Sequence, residues 1–143
     1  MKQTLLIITI CLLFFSCKKN NADEQSFIQC KSPQYMDSAA ISNKIVGSWT
    51  LIKQRFGSNG KVVATTKNIK VIFNSNSTYS LFEDSLVLAQ GNWDLKNVLD
   101  SMWGLGLTAP SSYLIGYISF CNNQVVFSYN YLDGNDNLFE KSN

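Results

Sequence analysis

The sequence predicts an all-β domain of about eight antiparallel strands that follow one another in up-and-down order. From Ile45 onward, short runs rich in valine, isoleucine, threonine, tyrosine and phenylalanine alternate with clusters of glycine, asparagine, serine and aspartate. β-Branched and aromatic side chains suit strands, whereas the residues of the clusters suit tight turns. Because the clusters are short, consecutive runs are expected to pair as hairpins and to form a meander.

A short helix is expected ahead of the first strand, over residues 38–44. Asp37 or Ser38 can cap its N-terminus, and the residues that follow are tolerable helix formers. Such a helix could plug one end of a barrel. The predicted strands cover residues 47–56, 62–66, 69–74, 78–83, 86–94, 113–121, 124–132 and 138–141.

The connections between these strands have the chemistry of turns. Residues 57–60, 74–77, 83–85 and 122–123 supply side chains that tolerate tight or left-handed backbone. In the predicted strand 113–121 both faces are largely apolar. One face could line a cavity while the other lies beneath a lid or helix, and a simple sandwich core would give the same pattern.

Residues 95–112 depart from the strand pattern. Leu95, Val98, Leu99, Met102 and Trp103 recur at helical spacing, and two glycines and a proline follow them. This pattern predicts a long loop that bears a short amphipathic helix. Long loops often serve as lids or binding elements, and the same helix could instead cover an open barrel end as part of the core.

The composition argues against several functional classes. The chain of 143 residues has no histidine, which removes the commonest general base, the usual catalytic triads and most zinc sites. A phosphate-binding surface would require basic residues gathered in a stripe. The 12 basic and 10 acidic residues of this chain are scattered instead. We therefore expect a single domain that is not an enzyme, has no cofactor or metal, and binds no nucleic acid.

The N-terminus resembles a bacterial lipoprotein export signal. Lys2 and an apolar run over residues 5–15 precede Leu13, Ser16 and Cys17, which resemble the lipobox of that class. The run has about 11 residues, against the roughly 20 that a membrane-spanning helix needs. The resemblance implies cleavage before Cys17 and attachment of acyl chains such as palmitate to it. A plain secretory signal and a short buried helix are the alternatives.

These features divide the chain into a signal peptide over residues 1–16, a lipidated cysteine and flexible tether over 17–37, and a folded domain over 38–143. The tether is expected to be flexible because residues 18–26 have no apolar side chain larger than alanine. The resemblance implies a membrane-anchored protein of the bacterial cell envelope, at the outer membrane. Lys18 and Lys19 do not decide between its periplasmic and its surface face.

The cysteines suggest one disulfide. Of the four in the chain, Cys11 lies in the signal and Cys17 would carry the lipid, which leaves Cys30 and Cys121. In a compartment that permits disulfides we expect these two to be bonded. Two separate buried thiols are the alternative.

Residues 45–141 resemble a lipocalin-like domain. A Gly-x-Trp motif, Gly47 and Trp49, opens the first strand, and a second, Gly91 and Trp93, recurs later. The likeness extends to residues 72–74, 77–79, 131–134 and 139–141. It implies an up-and-down β-barrel in which Gly47 allows a close chain approach and Trp49 fills the closed end.

One feature departs from the lipocalin pattern. In lipocalins an arginine near the C-terminus covers the tryptophan, and here Arg55, within the first strand, is the sole arginine. Lys141 could take that place as a weaker cation over the ring of Trp49.

The resemblance implies a monomer whose barrel binds a small apolar ligand through aromatic and aliphatic walls. Ordinary barrel core is the alternative role for every candidate. The predicted ligand-binding residues are Tyr79, Leu81, Met102, Trp103, Leu105, Tyr113, Tyr117 and Tyr129.

A second hypothesis is a non-catalytic interaction module, an accessory subunit or inhibitor, whose filled barrel docks on an envelope protein through the loop of Trp103. A large cavity would favour the first hypothesis, and a solid interior beside an exposed apolar loop would favour the second.

Overall fold

The computed structural model describes residue 30 and residues 36–57, 60–129 and 134–142. Within these ranges no helix is long and apolar enough to cross a bilayer. The regular elements are the helix α1 (Ser38–Ile45) and the strands β1 (Gly47–Phe56), β2 (Lys61–Ala64), β3 (Ile69–Phe73), β4 (Thr78–Glu83), β5 (Leu86–Leu99), β6 (Met102–Leu107), β7 (Tyr117–Cys121), β8 (Gln124–Ser128) and β9 (Asp136–Lys141).

The strands form a closed antiparallel barrel. Strands β3 to β9 pair in chain order, and β9 pairs with β1, from Trp49 opposite Lys141 to Arg55 opposite Asp136. Strands β2 and β3 lie along the same edge of β1, so they act as the two halves of one bent strand. The barrel therefore has eight strands around its circumference, which confirms the predicted all-β up-and-down barrel with a short N-terminal helix.

The barrel has two distinct ends. We call the end next to α1 the helix end; it also carries the turns after β3, β5 and β7. We call the opposite end the loop end. It carries the connections after β1, β4, β6 and β8, because successive strands alternate in direction.

The barrel interior is filled by large side chains. Alternate residues of each strand point inward, as on β3, where Ile69, Val71 and Phe73 are buried. The ring of Phe73 lies 5.8 Å from that of Trp93 and 6.5 Å from that of Phe127, measured between ring centroids. Contacts of this kind are typical of a packed aromatic core rather than of an open calyx.

The helix α1 closes the helix end. The side chain of Asp37 accepts a 2.7 Å hydrogen bond from the backbone N–H of Ala40, which confirms one of the two predicted caps. Ile41 and Ile45 are buried in the core. The indole N–H of Trp49 donates a 2.7 Å hydrogen bond to the carbonyl oxygen of Ile45, which satisfies an acceptor at the end of α1.

A lysine covers the tryptophan at this end. The Nζ atom of Lys141 lies 5.2 Å from the ring centroid of Trp49, so the predicted cation over the ring is confirmed. Gly47 permits this contact, because a Cβ atom at that position would lie 3.0 Å from Cε of Lys141. Its backbone φ of +131° also favours glycine. A second cation, Lys44 of α1, lies 4.9 Å from the ring centroid of Phe120.

A smaller apolar cluster lies on the outside of the barrel. The structure pairs Cys30 with Cys121 as a disulfide, as expected, with the two Cα atoms 4.9 Å apart. Cys30 packs on the outward-facing side chains of Val126 and Leu138, and all three are fully buried. The disulfide thus holds the chain ahead of α1 against β8 and β9.

The predicted loop with an amphipathic helix over residues 95–112 is wrong for residues 95–107, whereas residues 108–112 do lie in a loop. Strand β5 continues to Leu99, turns at residues 100–101 and returns as β6, with Leu95 opposite Leu105. The apolar residues that seemed to follow a helical period belong to two strands. Alternation on β6 places Gly104 between the partly buried side chains of Trp103 and Leu105.

Other strand boundaries also differ from the prediction. Strand β2 covers Lys61–Ala64 rather than residues 62–66, and β3 ends at Phe73 rather than at residue 74. Strand β7 begins at Tyr117 rather than at residue 113, because residues 108–116 form a loop that ends at Gly116 with a φ of +102°. Strand β8 ends at Ser128, and β9 begins two residues earlier than predicted, at Asp136.

Candidate functional site

The predicted ligand-binding residues do not meet in one pocket. Tyr79 and Leu81 are each 1% exposed and belong to the packed core. The hydroxyl of Tyr79 donates a hydrogen bond to the carbonyl oxygen of Ala109. Burial raises the pKa of Tyr79 above its ordinary value, and the hydrogen bond to Ala109 opposes that rise. These two side chains therefore serve as barrel core, the alternative role considered from the sequence.

The other predicted contact residues lie around the β5–β6 hairpin and the loop end. Trp103 and Tyr113 are partly buried and pack against the core, and Met102 lies next to the β5–β6 turn. Tyr117 pairs with Gly104, and Leu105 and Tyr129 line a surface groove described below. Trp103 is therefore not the exposed docking residue that the interaction hypothesis required.

The second Gly-x-Trp motif has a structural role. Trp93 is 5% exposed, and its indole N–H donates a 3.1 Å hydrogen bond to the carbonyl oxygen of Thr78. At Gly91 the side chain of Thr108 lies where a Cβ atom would stand. The motif thus fixes the β4–β5–β6 side of the barrel.

The loop of residues 108–116 covers the loop end of the barrel. Leu114, which is 1% exposed, packs into the core from this loop. The side-chain amide of Asn137 donates a 3.3 Å hydrogen bond to the carbonyl oxygen of Ser112, and it accepts one of 2.7 Å from Gln54. The loop is therefore fastened to the first and last strands, and Leu114 fills the barrel beneath it.

A buried polar cluster lies on the outside of β1, β8 and β9. The guanidinium of Arg55 donates a 2.8 Å hydrogen bond from Nε to Asp136, and the hydroxyl of Ser128 donates one of 2.5 Å to the other carboxylate oxygen. The Asp136 side chain is 1% exposed. No sequence motif indicates this cluster, because Arg55 and Asp136 become neighbours only through the pairing of β1 with β9 that closes the barrel.

An exposed apolar surface lies at the hairpin between β4 and β5. Leu86, Val87 and Leu88 are 74%, 56% and 49% exposed, and Phe82 lies opposite Val87 on the neighbouring strand. We call these four residues the hairpin tip. A β-bulge at this point disturbs the alternation that would otherwise turn some of these side chains inward. Three consecutive apolar residues after a turn were the sequence signal for this surface.

A groove lies where the barrel is least tightly joined. Strands β6 and β7 share one residue pair, Gly104 with Tyr117, whereas β7 and β8 share five. A Cβ atom on Gly104 would lie 2.6 Å from the carbonyl oxygen of Gly116, so glycine is needed for this close approach. Toward the loop end β6 has no further partner in β7, and Leu114 fills the gap from inside.

We call the outer depression at this gap the seam groove. Its volume is about 270 Å³. Val98 and Ile115, which line it, are 39% and 40% exposed. The residues that define the seam groove are Lys96, Val98, Gly104, Leu105, Ile115 and Tyr129.

Comparisons with protein-family models, with curated proteins and with solved structures find no match to this chain.

Proposed function

We propose that the chain is a non-catalytic, lipid-anchored protein of the bacterial cell envelope that binds a partner protein through the hairpin tip. The proposal is based on the filled interior of the barrel. The aromatic side chains of Trp49, Phe73 and Phe127 occupy the space in which a ligand-carrying barrel would hold its cargo. Binding is therefore assigned to the outer surface.

The hairpin tip is the surface best suited to a protein partner. Burying an aliphatic side chain that stands in water contributes about 1.5–3 kcal/mol. Leu86, Val87 and Leu88 stand together in water, and contiguous apolar surface of this kind is typical of interaction sites. The complementary surface is an apolar patch on another envelope protein.

The lipid anchor rests on the sequence, since Cys17 and the proposed signal lie outside the described residues. A diacyl or triacyl cysteine would hold the domain on a membrane, because two or more acyl chains give stable attachment. Mass spectrometry of the intact chain purified from its own envelope tests this part. The expected mass is that of a chain that begins at Cys17 with its acyl groups, and an unmodified mass would contradict the anchor.

Partner binding is tested with two matched variants. Val87 and Leu99 lie on the same strand and are 56% and 55% exposed, but Leu99 is at the opposite end of β5. We expect Val87→Glu to abolish the recovery of a specific envelope protein that the unmodified chain and Leu99→Glu both recover. Equal recovery by all three chains would contradict docking through the hairpin tip.

The second candidate function is the binding of a small apolar ligand. The seam groove favours it, because two exposed aliphatic side chains, Val98 and Ile115, line a depression there. On this second proposal the ligand would lie outside the barrel rather than among the core residues Tyr79 and Leu81.

A further inference from the structure

We infer that the outer edge of β2 takes up an extended segment of the partner protein as an added strand, next to the hairpin tip. The inference deepens the proposed docking function and rests on it. It names the element of the partner that the barrel recognises, which is a short stretch of chain in strand conformation.

The outer edge of β2 is open. Among the described strands, β2 pairs with β1 alone, over the four residues Lys61–Ala64. Strand β3 continues the same edge of β1 and has β4 as its outer neighbour, but the β4–β5 hairpin turns back level with Ile69, which lies opposite Glu83. The outer edge of β2 therefore extends past the end of β4, with no described strand beside it.

The hydrogen bonds to β1 identify which residues of β2 face outward. The backbone N–H of Thr65 donates a 3.5 Å hydrogen bond to the carbonyl oxygen of Ile52, so Thr65 faces β1. Because this orientation alternates along an antiparallel strand, Val63 also faces β1, whereas Val62 and Ala64 turn their N–H and C=O groups away from it. Within the described residues these outward groups have no hydrogen-bond partner.

The chemistry of this edge selects an extended backbone. The donors and acceptors of Val62 and Ala64 repeat with the spacing of a β-ladder, and an extended chain presents the complementary row of groups. A lipid has no such row, and the backbone groups of a helix are already bonded to one another. Ala64 is exposed and small, so its side chain leaves room for an incoming strand. Val63, which is 37% exposed, offers apolar surface beside it.

The open edge and the hairpin tip lie next to each other. In the β4–β5 turn, the backbone N–H of Asp84 donates a 3.0 Å hydrogen bond to the carbonyl oxygen of Asn68, and its carboxylate accepts one of 3.1 Å from the N–H of Asn68. These bonds hold the turn against the segment that follows β2. A strand added to β2 would therefore end close to Leu86, which is 74% exposed. In strand addition the backbone bonds supply affinity and neighbouring side-chain contacts supply specificity.

A proline at an outward-facing position blocks the edge and leaves the pairing with β1 in place. Ala64→Pro removes an N–H group that β1 does not use, and edge strands tolerate proline where the N–H faces solvent. Ala64→Ser changes the side chain at the same position and keeps the N–H, so it is the matched control. Both variants should unfold at the same urea concentration as the unmodified chain, which verifies that β2 is intact.

The probe is a phage-displayed library of short random peptides that is selected on the full chain. We expect it to yield peptides rich in β-branched residues and poor in proline. Their dissociation constants should rise about tenfold with Ala64→Pro, because an acceptor of the peptide loses its donor, and should stay unchanged with Ala64→Ser. In NMR exchange measurements the bound peptide should protect the amides of Val62 and Ala64, whereas that of Val63 is already bonded to β1.

The inference is overturned if the library yields no binder, if the selected peptides bind Ala64→Pro as tightly as the unmodified chain, or if they protect no amide of β2. A dimer of the chain that Ala64→Pro dissolves would assign the edge to a second copy and would overturn it as well.

Recovery of the envelope partner separates this inference from the docking on which it rests. We expect both Val87→Glu and Ala64→Pro to abolish recovery, while Ala64→Ser retains it. Loss with Val87→Glu alone would leave docking through the hairpin tip intact and would remove the added strand. Full recovery by Val87→Glu would remove the docking function itself.

Discussion

Replacement of Arg55 by methionine should destabilise the barrel strongly, because it removes the cation that faces a buried carboxylate. The side chains of Arg55 and Asp136 are 11% and 1% exposed. Breaking a buried pair by removal of one partner typically costs about 3–5 kcal/mol. The free energy of unfolding of a domain is usually about 5–15 kcal/mol, so this loss is a large part of it.

The pair of Lys67 and Glu83 provides a matched control. Its N–O distance is 2.5 Å, the same as between Arg55 and Asp136, but its side chains are 57% and 23% exposed. Solvent screening weakens such an exposed pair, so Lys67→Met should change stability far less than Arg55→Met.

Urea unfolding monitored by tryptophan fluorescence measures both effects. With a urea slope of about 1–3 kcal/mol per molar, Arg55→Met should lower the midpoint by more than about 1 M. The double variant Arg55→Met with Asp136→Asn should regain much of the loss, since it leaves no buried charge. A loss below about 1 kcal/mol for Arg55→Met, or no recovery in the double variant, would refute the argument from burial.

Three further predictions concern the fold. Cys121→Ser should lower the free energy of unfolding by about 4–5 kcal/mol in the chain-entropy model, which urea titration measures, because the bond to Cys30 closes a loop with a sequence separation of 91. Reduction of the disulfide in the unmodified chain should lower the free energy of unfolding by the same amount. No loss in the variant would contradict the argument. Burial raises the pKa of Tyr79, so the folded state favours the neutral phenol. The contribution of Tyr79 to stability should therefore be complete below the ordinary tyrosine pKa near 10 and should decline as the pH rises above that value. Tyr79→Phe should lack that part of the alkaline decline in pH-dependent unfolding. Gly47→Ala should cost about 1–3 kcal/mol, because a Cβ atom would meet Lys141 and the φ of +131° disfavours a side chain; an unchanged melting temperature would contradict this.

Most of the fold could be predicted because its signals are local. The strands β1 and β4 begin and end at the predicted residues, since turn residues bound each apolar run. The contact of Lys141 with Trp49 was also foreseeable, from the resemblance to lipocalins and the missing arginine.

The errors arose where two signals conflicted. Between residues 95 and 107, apolar spacing across the turn at Asp100 imitated a helix, and Gly104 and Gly106 seemed to break it. The alternation of glycine with Trp103 and Leu105 was the strand signal, since a glycine can occupy the outward face of a barrel strand.

The candidate sites were harder to predict than the fold. Whether Tyr79 lines a cavity or fills a core depends on the packing of all the inward side chains, which a single strand does not reveal. The seam groove likewise depends on the divergence of β6 from β7 after Gly104, a property of register between strands.

The pairing of β1 with β9 has a kinetic consequence. The first strand of the domain finds one of its neighbours only in the last, so Trp49 meets Lys141 after nearly the whole domain has been synthesised. Contacts that distant in sequence slow folding, because loop-closure entropy must be overcome before they form. Until then one border of β1 stays open to other chains. A polypeptide with this connectivity should fold slowly, and its open strand border should make it prone to aggregation until β9 has paired.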